Sequence, residues 1–301
     1  MIDCLVTGAG GALGSVLMRV LCEEHKNVYG LVSPHGPAPD VGKVLRVDLT
    51  EPSQWVDRVF ALAPRTIVHL AAVSKPAAAF QNPDLARAVN VDATELLAEL
   101  STAMASRLIY VSTDMVFDGE EAPYAEHHAT EPSTFYGRTK LEAECHVLAQ
   151  PRSLVLRLPL LYGFPEVSRG PTFFESILQA LQTSAPIQLF DDEVRTPLWL
   201  EDAARACSRL AESDITGVIH AAGPEALSRL DMGRKIAAAL GCNTEALRAT
   251  RRSDHASPEP RPHNLSLDCS RYIKHFGAPP GHDMATALPL VLARGPHRLL
   301  S

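Results

Sequence analysis

The chain has 301 residues, a formal net charge of −7, and 46% hydrophobic against 21% charged residues, the composition of a globular protein with enough length to bury one large α/β core or two smaller bodies. No apolar run approaches the roughly 18 residues that cross a bilayer, so no membrane role is expected, and the acidic balance disfavours non-specific nucleic-acid binding, which depends on clustered Lys and Arg. The six cysteines contain no C-x-x-C pair and the 12 histidines no H-E-x-x-H, which points away from a disulfide framework and from a bound metal, and towards buried thiols.

Residues 2–6 read as a buried first strand that starts too early to leave room for a signal peptide, so a cytoplasmic protein is expected. Thr7-Gly8-Ala9-Gly10-Gly11-Ala12-Leu13-Gly14 follows, and Val16, Leu17, Val20 and Leu21 recur behind it at helical spacing. This is a dinucleotide-binding turn. Glycine is needed where the turn is tight and where backbone approaches a pyrophosphate, which then sits on the helix N-terminus. The spacing is G-x-x-G-x-x-G, because Leu13 stands where G-x-G-x-x-G would need glycine. Strand-like runs recur at 28–32, 44–47, 66–70, 108–111 and 153–158, separated by helical patterns except over 33–42, whose Pro and Gly content predicts a loop. The alternation predicts an α/β fold with a Rossmann-type, doubly wound parallel sheet over residues 1–160. A smaller substrate lobe is expected over 161–301, with room for segments that return to the first domain. It holds helices near 173–182, 202–211 and 230–240, a strand pair within 187–200, a strand at 217–221, and a Pro-rich loop at 253–263.

Tyr136 and Lys140 open a helical run and lie four apart, so both side chains share one face. Moving a tyrosine from its usual pKa near 10 to neutrality means stabilising the phenolate by about 4 kcal/mol. One ammonium about 4 Å away in a medium of effective dielectric about 20 supplies that order of energy, so Tyr136 can serve as general acid or base if Lys140 stays charged and close. Thr113 ends a predicted central strand, where open parallel sheets bind ligands, and is placed to hydrogen-bond a substrate oxygen. Ser112, Thr113 and Asp114 equally suit a loop cap. No Asp or Glu occurs between Val28 and Pro39. A carboxylate there would repel a 2′-phosphate, so NADP(H) is preferred over NAD(H), with Ser33 and His35 as candidate donors. Arg195 and Arg261 are candidates for a substrate diphosphate, since Arg offers a planar fork to phosphate oxygens; each also suits a surface salt bridge.

With these motifs the chain resembles the extended short-chain dehydrogenase/reductase superfamily over nearly its whole length. Within it, S-T-D-M-V-F-D-G at 112–119, Y-G-R-T-K at 136–140, R-L-P-L-L-Y-G at 157–163 and R-P-H-N-L-S-L-D at 261–268 are similar to the dTDP-4-dehydrorhamnose reductase group. The resemblance implies reduction of a keto group on a dTDP-linked deoxysugar. Tyr136 would protonate the carbonyl oxygen, Lys140 hold the nicotinamide ribose and lower the tyrosine pKa, and Thr113 orient the carbonyl. It implies cofactor contacts from Gly8, Gly10, Gly11, Ala12, Leu13, Gly14, Asp48, Leu49, Leu70, Ala71, Ala72 and Leu158, and substrate contacts from Asp114 and Met115. Asp48 or Thr50 serves as readily as a helix cap, and Met115 stands where the group usually has tyrosine. The sugar-nucleotide 4,6-dehydratases place Asp-Glu after the Thr; Asp114 followed by Met115 argues against dehydration, while an epimerase stays open. Residues 261–270 also resemble the regulatory subunit of methionine adenosyltransferase, which implies a non-catalytic NADP-binding regulator as a second reading. The apolar helical pattern at 85–100 corresponds to a four-helix contact in relatives, so a homodimer is expected; Asn90 within it reads as structural.

Overall fold

The computed structural model describes residues 2–24, 27–167 and 170–295. In chain order the first half holds β1 (Cys4–Thr7), α1 (Ala12–Glu24), β2 (Val28–Val32), β3 (Lys43–Arg46), α2 (Val56–Leu62), β4 (Thr66–His69), α3 (Pro76–Gln81), α4 (Pro83–Arg87), α5 (Ala93–Ala103), β5 (Arg107–Thr113), α6 (Phe135–Leu148) and β6 (Ser153–Leu158). The second half holds β7 (Leu161–Tyr162), α7 (Phe173–Thr183), β8 (Ile187–Phe190), β9 (Val194–Arg195), β10 (Leu198–Trp199), α8 (Leu200–Ala211), β11 (Gly217–His220), β12 (Leu227–Ser228), α9 (Arg229–Leu240), β13 (Leu247–Thr250), α10 (Ser270–Phe276) and α11 (Met284–Ala293). None of the described helices is long and apolar enough to cross a membrane.

Seven strands form one parallel sheet in the order β3-β2-β1-β4-β5-β6-β11. Its central strands are near-continuous apolar runs, as a sheet covered on both faces requires. On one face Val16, Leu17, Val20 and Leu21 of α1 pack with Val6, Val68 and Ile109, together with Ala203, Ala204 and Cys207 of α8. On the other face Trp55, Val59, Leu97, Ala98, Ala143 and Val147 cover Leu5, Ile67 and Tyr110. As expected, β2 passes to β3 through a loop and not a helix.

One detail settles what the sequence reading left open, and two depart from it. The strand expected at 217–221 is β11, which adds to the edge of the central sheet beside β6 and brings α8 against α1. The strand pair expected within 187–200 is instead three short strands that do not pair with each other: β8 pairs with β13, β9 with β12 and β10 with β7. Alternation along a strand reports its two faces and carries no information about its partner. The helix expected over 85–100 is broken by a wider π turn at Ala88–Asp92. The cause lies in Asn90, whose buried amide accepts from Val73 N at 2.8 Å and donates to Thr139 Oγ1 at 3.0 Å. Of the cysteines, Cys4 and Cys207 are buried, but Cys145 and Cys242 are exposed, which corrects the expectation of buried thiols; Cys145 lies on the outward face of α6.

Candidate active site

A cleft of about 1110 Å³ opens at the carboxyl ends of the central strands, between the sheet and the C-terminal segments. Gly8, Gly10, Gly11, Ala12, Leu13 and Gly14 line one end. Gly8 has φ +66°, the left-handed region, and a Cβ there would come 2.7 Å from Ala71 N. A Cβ on Gly14 would lie 2.2 Å from Gly8 O, so helix and turn meet backbone to backbone. A Cβ on Gly11 would meet only Gly8 O, at 3.2 Å, leaving that position open to an incoming group. The first-turn N–H groups of α1 lack intrahelical acceptors, and no acidic residue occupies that turn. Cradle and charge together fit the pyrophosphate of a dinucleotide.

The adjoining wall, Leu70 to Val73, is pinned at both ends. Thr7 Oγ1 accepts from Leu70 N and Ala71 N, each at 3.2 Å, and lies 2.5 Å from His69 Nδ1. Burial pushes His69 down to about 3, so its ring stays neutral while Nε2 meets Thr94 Oγ1 at 2.8 Å. Asn90 holds Val73 at the far end. Leu70, Ala71, Ala72 and Leu158 all line the cleft.

At the adenosine end, Asp48 and Leu49 line the cleft, but Asp48 Oδ1 is taken by Thr50 N at 2.9 Å and Thr50 Oγ1 at 2.7 Å, so it caps the turn it precedes. Ser33 lines the mouth, and His35 is exposed on the same turn, just outside the lining. The Arg46 guanidinium gathers the carbonyls of this 33–36 turn, with Nη1 donating to Gly36 O at 2.7 Å and Pro34 O at 3.1 Å.

Thr113, Tyr136 and Lys140 share the central wall. The Thr134 hydroxyl caps α6 by accepting from Gly137 N at 3.1 Å. A Cβ on Gly137 would lie 2.2 Å from Met115 O, so the helix rests directly on the turn Asp114–Val116 that follows β5. This close approach sets Tyr136 against Thr113. Thr113 Oγ1 donates to Asp114 Oδ1 at 3.0 Å and accepts from Met115 N at 3.2 Å, so it fills the capping role as well as facing the cleft. Met115 packs beside Tyr136, Val73 and Phe135.

The electrostatics differ from the sequence expectation. Burial raises the Tyr136 phenol, Asp114 raises it further, and the neighbouring Thr113 hydroxyl opposes both. Lys140 donates from Nζ to Val111 O at 2.8 Å and sits 4.0 Å over the Tyr110 ring. Burial pushes the ammonium down from 10.5 to about 7, with Glu144 opposing. Desolvation is the largest influence on both groups, and Tyr136 rests as a protonated acid. One turn further along α6, Glu144 accepts from Ser112 Oγ at 2.5 Å and from Arg157 Nη2 at 2.7 Å and Nε at 3.0 Å, a buried ion pair that ties β5 and β6 to the helix.

Opposite Tyr136, Arg195 is buried with Nε 3.4 Å from Asp114 Oδ2, and burial raises the Asp114 carboxyl against this attraction. Arg261 lies 3.0 Å from Glu193 and 4.9 Å over the Phe190 ring. Both arginines line the cleft and both are ion-paired, Arg195 in a buried pair and Arg261 in a half-exposed one. Sequence reasoning missed Arg229, whose Nε is 3.5 Å from Glu193 and whose buried Nη1 has no hydrogen-bond partner among the described residues. Burial and the nearby Arg195 push it down to about 10. It missed Glu259 too, which accepts from Phe135 N at 2.5 Å and moors the Pro-rich loop to the start of α6. The only local signal at Arg229 is a helix start, Ser228 capping Asp231 N.

Residues 2–294 match the RmlD substrate binding domain. The chain belongs to that family. Among its curated relatives, the bovine (Bos taurus) protein named methionine adenosyltransferase 2 subunit beta is 34% identical over 89% of this chain and 80% of its own length. The probable low-salt glycan biosynthesis reductase Agl14 of Haloferax volcanii is 31% identical over 90% and 91%. Among solved structures, a hypothetical dTDP-4-dehydrorhamnose reductase from Sulfolobus tokodaii superposes with TM-score 0.80 at 28% identity, covering 91% of this chain and 94% of that one. The Bacillus anthracis dTDP-4-dehydrorhamnose reductase in complex with NADP shares the fold at TM-score 0.82 and 22% identity, covering 98% and 99%. In this RmlD-family chain the glycine turn, Thr113, Tyr136 and Lys140 line one cleft.

Proposed function

We propose that this protein is an NADP(H)-dependent ketoreductase acting on a nucleotide-linked keto sugar, of the dTDP-4-dehydro-6-deoxyhexose class. The observation that carries this reading is the convergence of Thr113, Tyr136 and Lys140 on one wall of a cleft whose end is the glycine turn. A bound nicotinamide supplies the hydride that adds to the carbonyl carbon. Tyr136, kept protonated by its surroundings, gives its proton to the carbonyl oxygen, and the Thr113 hydroxyl turns from Asp114 to orient that oxygen. Lys140 steadies the phenolate left behind and returns a proton to it. Arg195, Arg229 and Arg261 supply cations for a diphosphate, and Asp114 accepts from a sugar hydroxyl. Residues 1–160 would carry the cofactor and most of 161–301 the substrate, in a cytoplasmic homodimer.

The test is depletion of NADPH absorbance with a panel of dTDP- and UDP-linked keto sugars. Tyr136→Phe should lose at least about a hundredfold in kcat, the scale of general acid catalysis, with its melting temperature retained. Unchanged turnover removes Tyr136 from the mechanism. The 34% identity to a methionine adenosyltransferase subunit favours a second reading, a cofactor-binding regulator. Stable co-purification with a methionine adenosyltransferase catalytic subunit, and no turnover of any ketone, would decide for it.

A further inference from the structure

NADP differs from NAD at the 2′ position of the adenosine ribose, which in an open parallel sheet lies beyond the tip of the second strand. Here that tip is Val32, and its register partner on β3 is Arg46. The guanidinium of Arg46 therefore rises beside residues 33–36, where Ser33 and Pro34 form the mouth of the cleft. Its Nη1 donates to Gly36 O at 2.7 Å, Pro34 O at 3.1 Å and Ser33 O at 3.4 Å. All three bonds use one nitrogen. Nε and Nη2 have no hydrogen-bond partner among the described residues, and the side chain is exposed. A guanidinium fastened by one nitrogen and open at the others is a prearranged fork for phosphate oxygens. No carboxylate lies between Val28 and Pro39 to oppose an anion there.

We propose that Arg46 reads the 2′-phosphate of NADP(H) and sets the cofactor preference of this chain, a role that rests on the nicotinamide reading of the cleft. Arg46 and His35 both stand just outside the residues that line the cleft, and of the two it is Arg46 that the carbonyls of Ser33, Pro34 and Gly36 hold at the rim. The three carbonyl bonds keep the guanidinium from collapsing onto solvent, so little side-chain freedom remains to be lost on binding.

The experiment measures NADPH and NADH binding to the whole chain by reduced-nicotinamide fluorescence, and 2′,5′-ADP against 5′-AMP by calorimetry, for wild type, Arg46→Gln and Arg46→Lys. A charge-assisted hydrogen bond to phosphate predicts a loss of about 10- to 100-fold for NADPH and 2′,5′-ADP in Arg46→Gln. NADH and 5′-AMP should stay within about twofold, with Arg46→Lys between wild type and Arg46→Gln. Equal losses for both cofactors would mean that Arg46 only shapes the turn, and unchanged NADPH affinity would mean that it does nothing there; either overturns the inference. Wild type binding NADH and NADPH alike also overturns it, and with it the NADP(H) preference, while leaving ketone reduction by a nicotinamide in place. Wild type binding neither would sink both.

Discussion

Glu144→Gln should be one of the most damaging single changes in the interior. Glu144 and Arg157 have side chains 1% and 4% exposed, and the carboxylate accepts two bonds from the guanidinium and one from Ser112. A glutamine keeps the shape and one acceptor but leaves Arg157 as a buried cation without its counter-charge. Breaking such a pair from one side costs about 3–5 kcal/mol, against a total stability of about 5–15 kcal/mol. For a chain of this size the melting temperature should fall by on the order of 10 °C. Thermal unfolding followed by circular dichroism reads this directly, with urea midpoints as a second measure. Replacing both partners, Glu144→Met with Arg157→Leu, should recover a good part of the loss, because neither charge then has to be desolvated. A single variant that melts within about 2 °C of wild type would refute the argument, since water or another group would then have to be serving Arg157.

The remaining expectations use the same wall and its neighbours. Lys140 has a folded value of about 7 against 10.5 when unfolded, so the unfolded chain binds the extra proton between those values, and the Lys140 contribution to stability rises with pH across that window. Lys140→Met should flatten this rise in pH-dependent urea unfolding. In the free protein, kcat/KM for NADPH should fall as pH climbs through about 7, and a flat profile from pH 6 to 9 would show that the charged form is not needed. Gly14→Ala drives a methyl into backbone atoms of Gly8 and Ala9; it should cost about 1–3 kcal/mol and weaken NADPH binding more than tenfold, and wild-type affinity would refute the tight-turn account. Glu259→Ala frees the loop from Phe135 N and should raise KM for the keto sugar severalfold with NADPH affinity unchanged; an unaltered KM would mean that the loop holds itself.

What the sequence revealed was local, and what it concealed was remote. The glycine turn, the Tyr136/Lys140 spacing and Thr113 at a strand end are each written within eight residues or fewer, and the cleft gathers all of them. The partners of β8, β9 and β10 lie 32 to 60 residues away in the chain, and no alternation of apolar residues names them. The proton affinity of Lys140 is hidden from the sequence for a related reason. Spacing says which side chains share a face, whereas desolvation depends on how completely β5 and α6 shut out water. Arg46 shows the same limit: composition located a turn without carboxylates, but only the β2–β3 register brings a guanidinium from the next strand onto its carbonyls. Arg229, Glu193 and Glu259 converge from three segments that share no motif.

The placement of β11 beside β6, with α8 lying against α1, has a practical corollary. Severing the polypeptide after residue 160 would strip β6 of its outer neighbour and bare the apolar side of α1, an open edge and a sticky stripe that invite aggregation. Neither fragment would be an independent module, yet each holds what the other lacks. Co-expressed as separate pieces fused to interacting tags, they would form a complementation pair whose reassembly restores the interior and, with it, the cleft.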